Sequence, residues 1–124
     1  VGRDLKLRIK LCATAALGPG KVGLLEAVER CGSITAAARD QGMSYRRAWG
    51  LLEELNHALA QPVVVSSFGG ARGGGATVTE TGRIVIALYR RIESKAQAAI
   101  AGELAELAEL LAPEQQDQEG PCSP

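Results

Sequence analysis

The sequence predicts a mainly α fold with a small β component: a winged helix-turn-helix followed by a long dimerisation helix. Three observations point there. Two helix-starting serines, Ser33 and Ser44, stand eleven residues apart with Gly42 between them. A β-branched run and a glycine-rich stretch then read as a hairpin. Finally, apolar residues recur at helical spacing from Glu80 to Leu111. A chain of 124 residues allows one domain plus an appendage, and 46% hydrophobic content with 3% aromatics implies a core of Leu, Val, Ile and Ala.

Residues 4–11 (DLKLRIKL) alternate Leu5, Leu7, Ile9 and Leu11 with Lys6, Arg8 and Lys10, the period of a half-buried strand. Gly18-Pro19-Gly20 then breaks the chain. Residues 22–30 carry Val22, Leu25 and Val28 at helical spacing and stop at Gly32, a C-terminal capping glycine. Ser33 caps a short helix over residues 34–41 with Ile34, Ala37 and Ala38 inside, and Gly42 supplies the turn. Ser44 caps a third helix, where Ala48, Leu52, Leu55 and Leu59 form the inner face. Trp49, four residues after Tyr45 and three before Leu52, is assigned to the core.

Pro62 ends that region. Residues 63–65 and 76–79 are short strands around the glycine-rich loop GGARGGG, with Arg72 near its tip. Thr79 caps the next element, one helix over residues 80–111. It is too long for a lone surface helix of a small domain, so it is expected to pair with a second copy. The pairing residues are Val85, Leu88, Ile92, Ala96, Ala99, Ile100, Leu104 and Leu107. Pro113 ends this helix, and residues 114–124 read as a disordered tail. The expected domains are residues 1–79, a DNA-binding winged helix-turn-helix; residues 80–112, the dimerisation helix; and residues 113–124, the acidic tail.

The formal net charge of +0 hides a division. All 14 Lys and Arg lie in the first 100 residues beside eight acids, whereas the last 24 residues carry six acids and no base. A basic body suits a polyanionic partner. The third helix explains where that partner sits. Tyr45, Arg46 and Arg47 occupy its first turn, where free backbone N–H groups already make the helix end positive. Two arginines there are unfavourable until an anion arrives, and Arg can take a phosphate or the O6/N7 edge of guanine bidentately. Double-stranded DNA is therefore the expected partner. The candidate contacts are Ser33, Thr35, Ser44, Tyr45, Arg46 and Arg47, with Arg72 on the hairpin tip and Lys21 before the first helix as phosphate contacts.

Other chemistries lack material. Cys12, Cys31 and Cys122 are widely spaced with no CxxC, and His57 is the single histidine, so no disulfide framework, metal site or His-driven catalysis is expected. GGARGGGA contains no GxxxxGK[ST] and precedes a strand, which excludes a nucleotide-binding P-loop. No Ser/His/Asp set is identifiable, so no enzyme, no cofactor and no small-molecule site is expected. No apolar run is long enough for a membrane span and the first residues lack a signal peptide's apolar core, so the expectation is a cytoplasmic protein without a membrane partner.

Two stretches, GPGKVGLLEAVERCGSITAAARDQGMSYRRAWGLLEELN and QPVVVSSFGGARGGGATVTETGRIVIALYRRIE, resemble the N-terminal DNA-binding domain of molybdate-dependent transcriptional regulators of the ModE type. That family is related in turn to the DNA-binding end of LysR-type regulators. The resemblance covers residues 5–93. The GSIT, GMSY and RAW motifs and the glycine-rich wing occur in order at the family's spacing. The resemblance implies a positioning helix over residues 33–41, a recognition helix over 44–60, a wing over 68–79 and a dimerisation helix from Glu80. Regulators of this type continue into β-barrel domains that bind molybdate and carry an SARN-like motif, which this sequence lacks. The implied function is a sequence-specific, homodimeric transcriptional regulator on a pseudo-palindromic operator of molybdenum-related genes. The alternative is a sensorless partner that heterodimerises with, or antagonises, a full-length regulator.

Overall fold

The computed structural model describes residues 5–67 and 75–116, which fall into two compact units. One runs from Leu7 to Tyr89; the other comprises Leu5 and Lys6 with the chain from Arg90 onward.

The larger unit opens with an antiparallel hairpin, β1 (Ile9–Cys12) and β2 (Ala15–Leu17), pairing Ile9 with Leu17 and Lys10 with Ala16 and bulging before Cys12. The strand expected over residues 4–11 is thus shorter and displaced. Its partner escaped the sequence pattern because Ala15, Ala16 and Leu17 are all buried and show no alternation. Helix α1 (Pro19–Cys31) starts at the proline expected to break the chain, because proline's fixed φ and missing N–H suit a first helical position. It buries Val22, Leu24, Leu25, Ala27 and Val28, and ends where Gly32, at φ 79°, donates its N–H to Val28 O at 2.8 Å.

Helices α2 (Ile34–Asp40) and α3 (Tyr45–Ala58) come next, at the expected serine caps. Between them Gly42 takes φ 70°. Its N–H donates to Arg39 O at 3.2 Å, and the Met43 N–H reaches back to Ala38 O at 2.9 Å. This crossed pair satisfies the last carbonyls of α2 and needs a left-handed residue at the turn. Ile34, Ala37 and Ala38 from α2, with Ala48, Leu52 and Leu55 from α3, close on α1 to form the core.

A second antiparallel hairpin, β3 (Val64–Ser67) and β4 (Gly75–Val78), pairs Val64 with Val78. Asn56 on α3 pins its base: the side-chain oxygen accepts the N–H of Val63 at 2.7 Å, and the amide donates to Val64 O at 3.2 Å. Ala76 N–H donates to Gly32 O at 3.0 Å, tying β4 to the end of α1. The Thr79 hydroxyl donates to Pro62 O at 2.6 Å and accepts the Gly82 N–H at 3.0 Å, which starts the next helix.

That helix, α4 (Glu80–Ala99), does not run on to Leu111. Ile100 interrupts it, α5 (Ala101–Glu109) lies beyond, and α6 (Pro113–Gln116) begins at the proline expected to end the run. The single long dimerisation helix expected over residues 80–111 is therefore corrected to two, α4 and α5, with α6 past its expected end. Hydrogen bonding nearly bridges the first break: Ile100 N–H still reaches Ala96 O at 3.1 Å, and Leu104 N–H reaches Ile100 O at 2.9 Å. Gly102 weakens helical propensity there by about 1 kcal/mol relative to alanine. At the second break the bonds tighten to three-residue spacing, Leu110 N–H to Leu107 O and Leu111 N–H to Ala108 O. In the smaller unit, Leu5 N–H donates to Gln97 Oε1 at 2.9 Å.

Candidate nucleic-acid interface

The first turn of α3 is presented to solvent. Ser44 Oγ accepts the Arg47 N–H at 3.1 Å, occupying one of the free donors of that helix end. Tyr45, Arg46 and Arg47 are exposed, while Ala48 behind them is fully buried and fixes the rotation of the helix. Neither Arg46 nor Arg47 makes an ion pair among the described residues.

Pairing separates the cations of the larger unit into two sets. Arg30 meets Asp40 at 2.6 Å, linking α1 to α2, and Arg83 meets Glu80 at 3.1 Å and Glu29 at 3.9 Å. Arg8, Lys10, Arg39, Arg46 and Arg47 have no such partner among the described residues. Arg8, Lys10 and Arg39 were not identified from the sequence as contacts. An alternating strand or an exposed helix face gives no sign that a cation will be left uncompensated.

Two expectations need correction. Lys21 is not offered to a phosphate: its side chain is only 12% exposed, donates to Ala16 O at 2.8 Å and pairs with Glu54 at 2.8 Å. Trp49 is not in the core but 47% exposed, beside Tyr45 at 51%. It lies one residue from buried Ala48, a rotation of about 100° that carries it off the apolar face. Two open clefts, of about 360 and 380 Å³, lie beside β1.

Ser33 serves α2 as its cap, accepting the Ala36 N–H at 3.0 Å, and Thr35 is exposed in the first turn of α2. Arg72 lies outside the described residues. Of the residues expected to pair two copies, Val85 packs against the core, Ala96, Ile100 and Leu104 are half-buried, and Leu88, Ile92, Ala99 and Leu107 are exposed. Ile84, Leu110 and Leu111 are further exposed apolar side chains.

The Cys12 thiol is held below the ordinary cysteine range, first by a hydrogen bond from the Thr14 backbone and then by the Thr14 hydroxyl, with a smaller contribution from Lys10. Among the described residues no group of three or more His, Cys, Asp or Glu could hold a metal ion, and no helix is long and apolar enough to cross a membrane.

No family model matches the chain. Its relatives include the molybdenum-pterin-binding protein MopB of Rhodobacter capsulatus, 48% identical over 80 residues, covering 64% of this chain and 30% of that protein. The molybdenum transport protein ModE of Azotobacter vinelandii is 41% identical over 68% of this chain and 32% of its own length. The DNA-binding transcriptional dual regulator ModE of Escherichia coli K12 is 37% identical over 69% of this chain and 33% of its own length. The chain thus spans about a third of the relatives it matches.

These names correct the narrower resemblance. With a molybdenum-pterin-binding protein at 48% identity, the assignment to the N-terminal DNA-binding domain of molybdate-dependent regulators is withdrawn, and with it the winged-helix class that it implied. What the comparisons support is a likeness to molybdenum-related proteins, transcriptional regulators among them and none named as an enzyme.

Proposed function

We propose that the chain binds duplex DNA sequence-specifically as a homodimer and regulates transcription of molybdenum-related genes. The observation that carries this reading is the first turn of α3, where two exposed arginines with no ion-pair partner among the described residues stand at a helix end that is already positive. An α-helix fits the major groove, and arginine there can read guanine bidentately. The relative named as a DNA-binding transcriptional dual regulator supports the partner, and the names of the other relatives support the link to molybdenum. The exposed Leu88, Ile92 and Leu107 support pairing of two copies. Two α3 helices related by a two-fold axis would address half-sites about 34 Å apart or a multiple of that.

Selection from sheared DNA of the source organism, at roughly 150 mM salt where non-specific phosphate binding is weakened, tests the proposal. Enrichment of a short pseudo-palindrome is the expected result, and a flat profile would count against it. A second reading, pairing with a different and longer regulator chain, draws on the same exposed apolar positions. It would be favoured if the purified protein exchanged subunits with such a chain, and disfavoured by a homodimer that never exchanges.

A further inference from the structure

We propose that the cleft shared by Arg8 and Arg47 seats a phosphate group, and that its occupant is a backbone phosphate of the duplex addressed by α3. This rests on the DNA-binding reading above. The cleft is open, about 360 Å³, and gathers three segments far apart in sequence: Arg8 before β1, the first turn of α1 around Gly20, and Arg47 with Glu54 on α3. Its one lining carboxylate is already committed, because Glu54 lies 2.8 Å from Lys21 Nζ. The uncompensated charge is therefore that of the two guanidiniums, neither of which has an ion-pair partner among the described residues.

Two like charges facing one small space repel, and an anion between them reverses the sign of that interaction. Phosphate matches guanidinium geometry through paired N–H donors. The first turn of α1 adds backbone donors, since Gly18 offers no capping side chain. The cleft adjoins the turn that carries Arg46, and this contiguity favours the phosphodiester of bound DNA over a free phosphate ion. Arg8 also borders the neighbouring cleft beside Lys10, which extends the positive edge along β1.

The test compares wild type, Arg8→Ala and Arg8→Lys for binding to the enriched duplex and to a scrambled one, between roughly 50 and 300 mM salt. Arg8→Ala should weaken both by a similar factor, about 5- to 10-fold, and lower the salt slope by about one, whereas Arg8→Lys should keep the slope. An Arg8→Ala protein that melts like wild type and binds with unchanged affinity and slope would overturn the seat. If Arg46→Ala still weakened binding in that case, the DNA reading would stand without it.

A parallel titration with inorganic phosphate monitors the Gly20 and Lys21 amides by NMR. Shifts seen in wild type and lost in Arg8→Ala support the seat. Such shifts in a protein that binds no duplex would overturn the duplex as occupant and leave free phosphate in its place. Absence of both duplex binding and phosphate shifts would overturn the seat altogether.

Discussion

Arg46 and Arg47 stand at a helix end where cations are unfavourable without an anion, and neither has an ion-pair partner among the described residues. Replacing Arg46 with alanine should cost about 1–3 kcal/mol of operator affinity and relax the preference at the base it reads, whereas Arg47→Ala, which loses a phosphate contact, should weaken binding without relaxing it. Binding to operator and single-base variants measures this, and an unchanged preference in Arg46→Ala would remove Arg46 from readout. Cys12 offers a separate check at the same scale. Because the Thr14 backbone and then its hydroxyl favour the thiolate, alkylation of Cys12 should reach half its maximal rate at a lower pH than that of an ordinary cysteine thiol. Thr14→Val, measured with Cys31 and Cys122 replaced by serine, should move that midpoint upward.

Among the elements, Asn56 joins α3 to the second hairpin through bonds to both Val63 and Val64. Asn56→Ala leaves partly buried backbone groups without partners and should destabilise the fold by about 1–3 kcal/mol, read from urea unfolding. What the sequence showed and what it hid divide along physical lines at this scale. Ser33, Gly32, Gly42 and Ser44 were legible because capping chemistry is local and a left-handed glycine leaves a mark in composition. The inner faces of α1 to α3 were legible from their period. Strand β2 was not, since three buried residues carry no alternation. The exposure of Trp49 was hidden because a position flanking the apolar stripe shares its spacing with core residues. Lys21 needed the fold itself, as its partners Ala16 and Glu54 are brought to it by a hairpin and a different helix. The break at Ile100 was masked by an apolar pattern that continues across it.

For the molecule as a whole, a pseudo-palindromic operator calls for two copies, and exposed apolar side chains on α4 and α5 are where they are proposed to meet. Leu88 and Ile92 are 45% and 43% exposed at i,i+4 spacing on α4. Leu88→Glu with Ile92→Glu should therefore yield a folded monomer by sedimentation and lower operator affinity at least tenfold, the factor expected when about 1.4 kcal/mol or more of paired binding is lost. A dimer that persists in this variant would place the pairing surface elsewhere.

The claim that the start of α3 is the face that meets DNA can be tested most directly through Trp49. It is the only tryptophan in the chain and is exposed one turn from Tyr45 on that helix. Its emission should change on titration with duplex at roughly 150 mM salt, saturating with the same midpoint as binding measured independently. Duplex that binds to saturation while leaving Trp49 emission unchanged would put the DNA on another face and contradict the account.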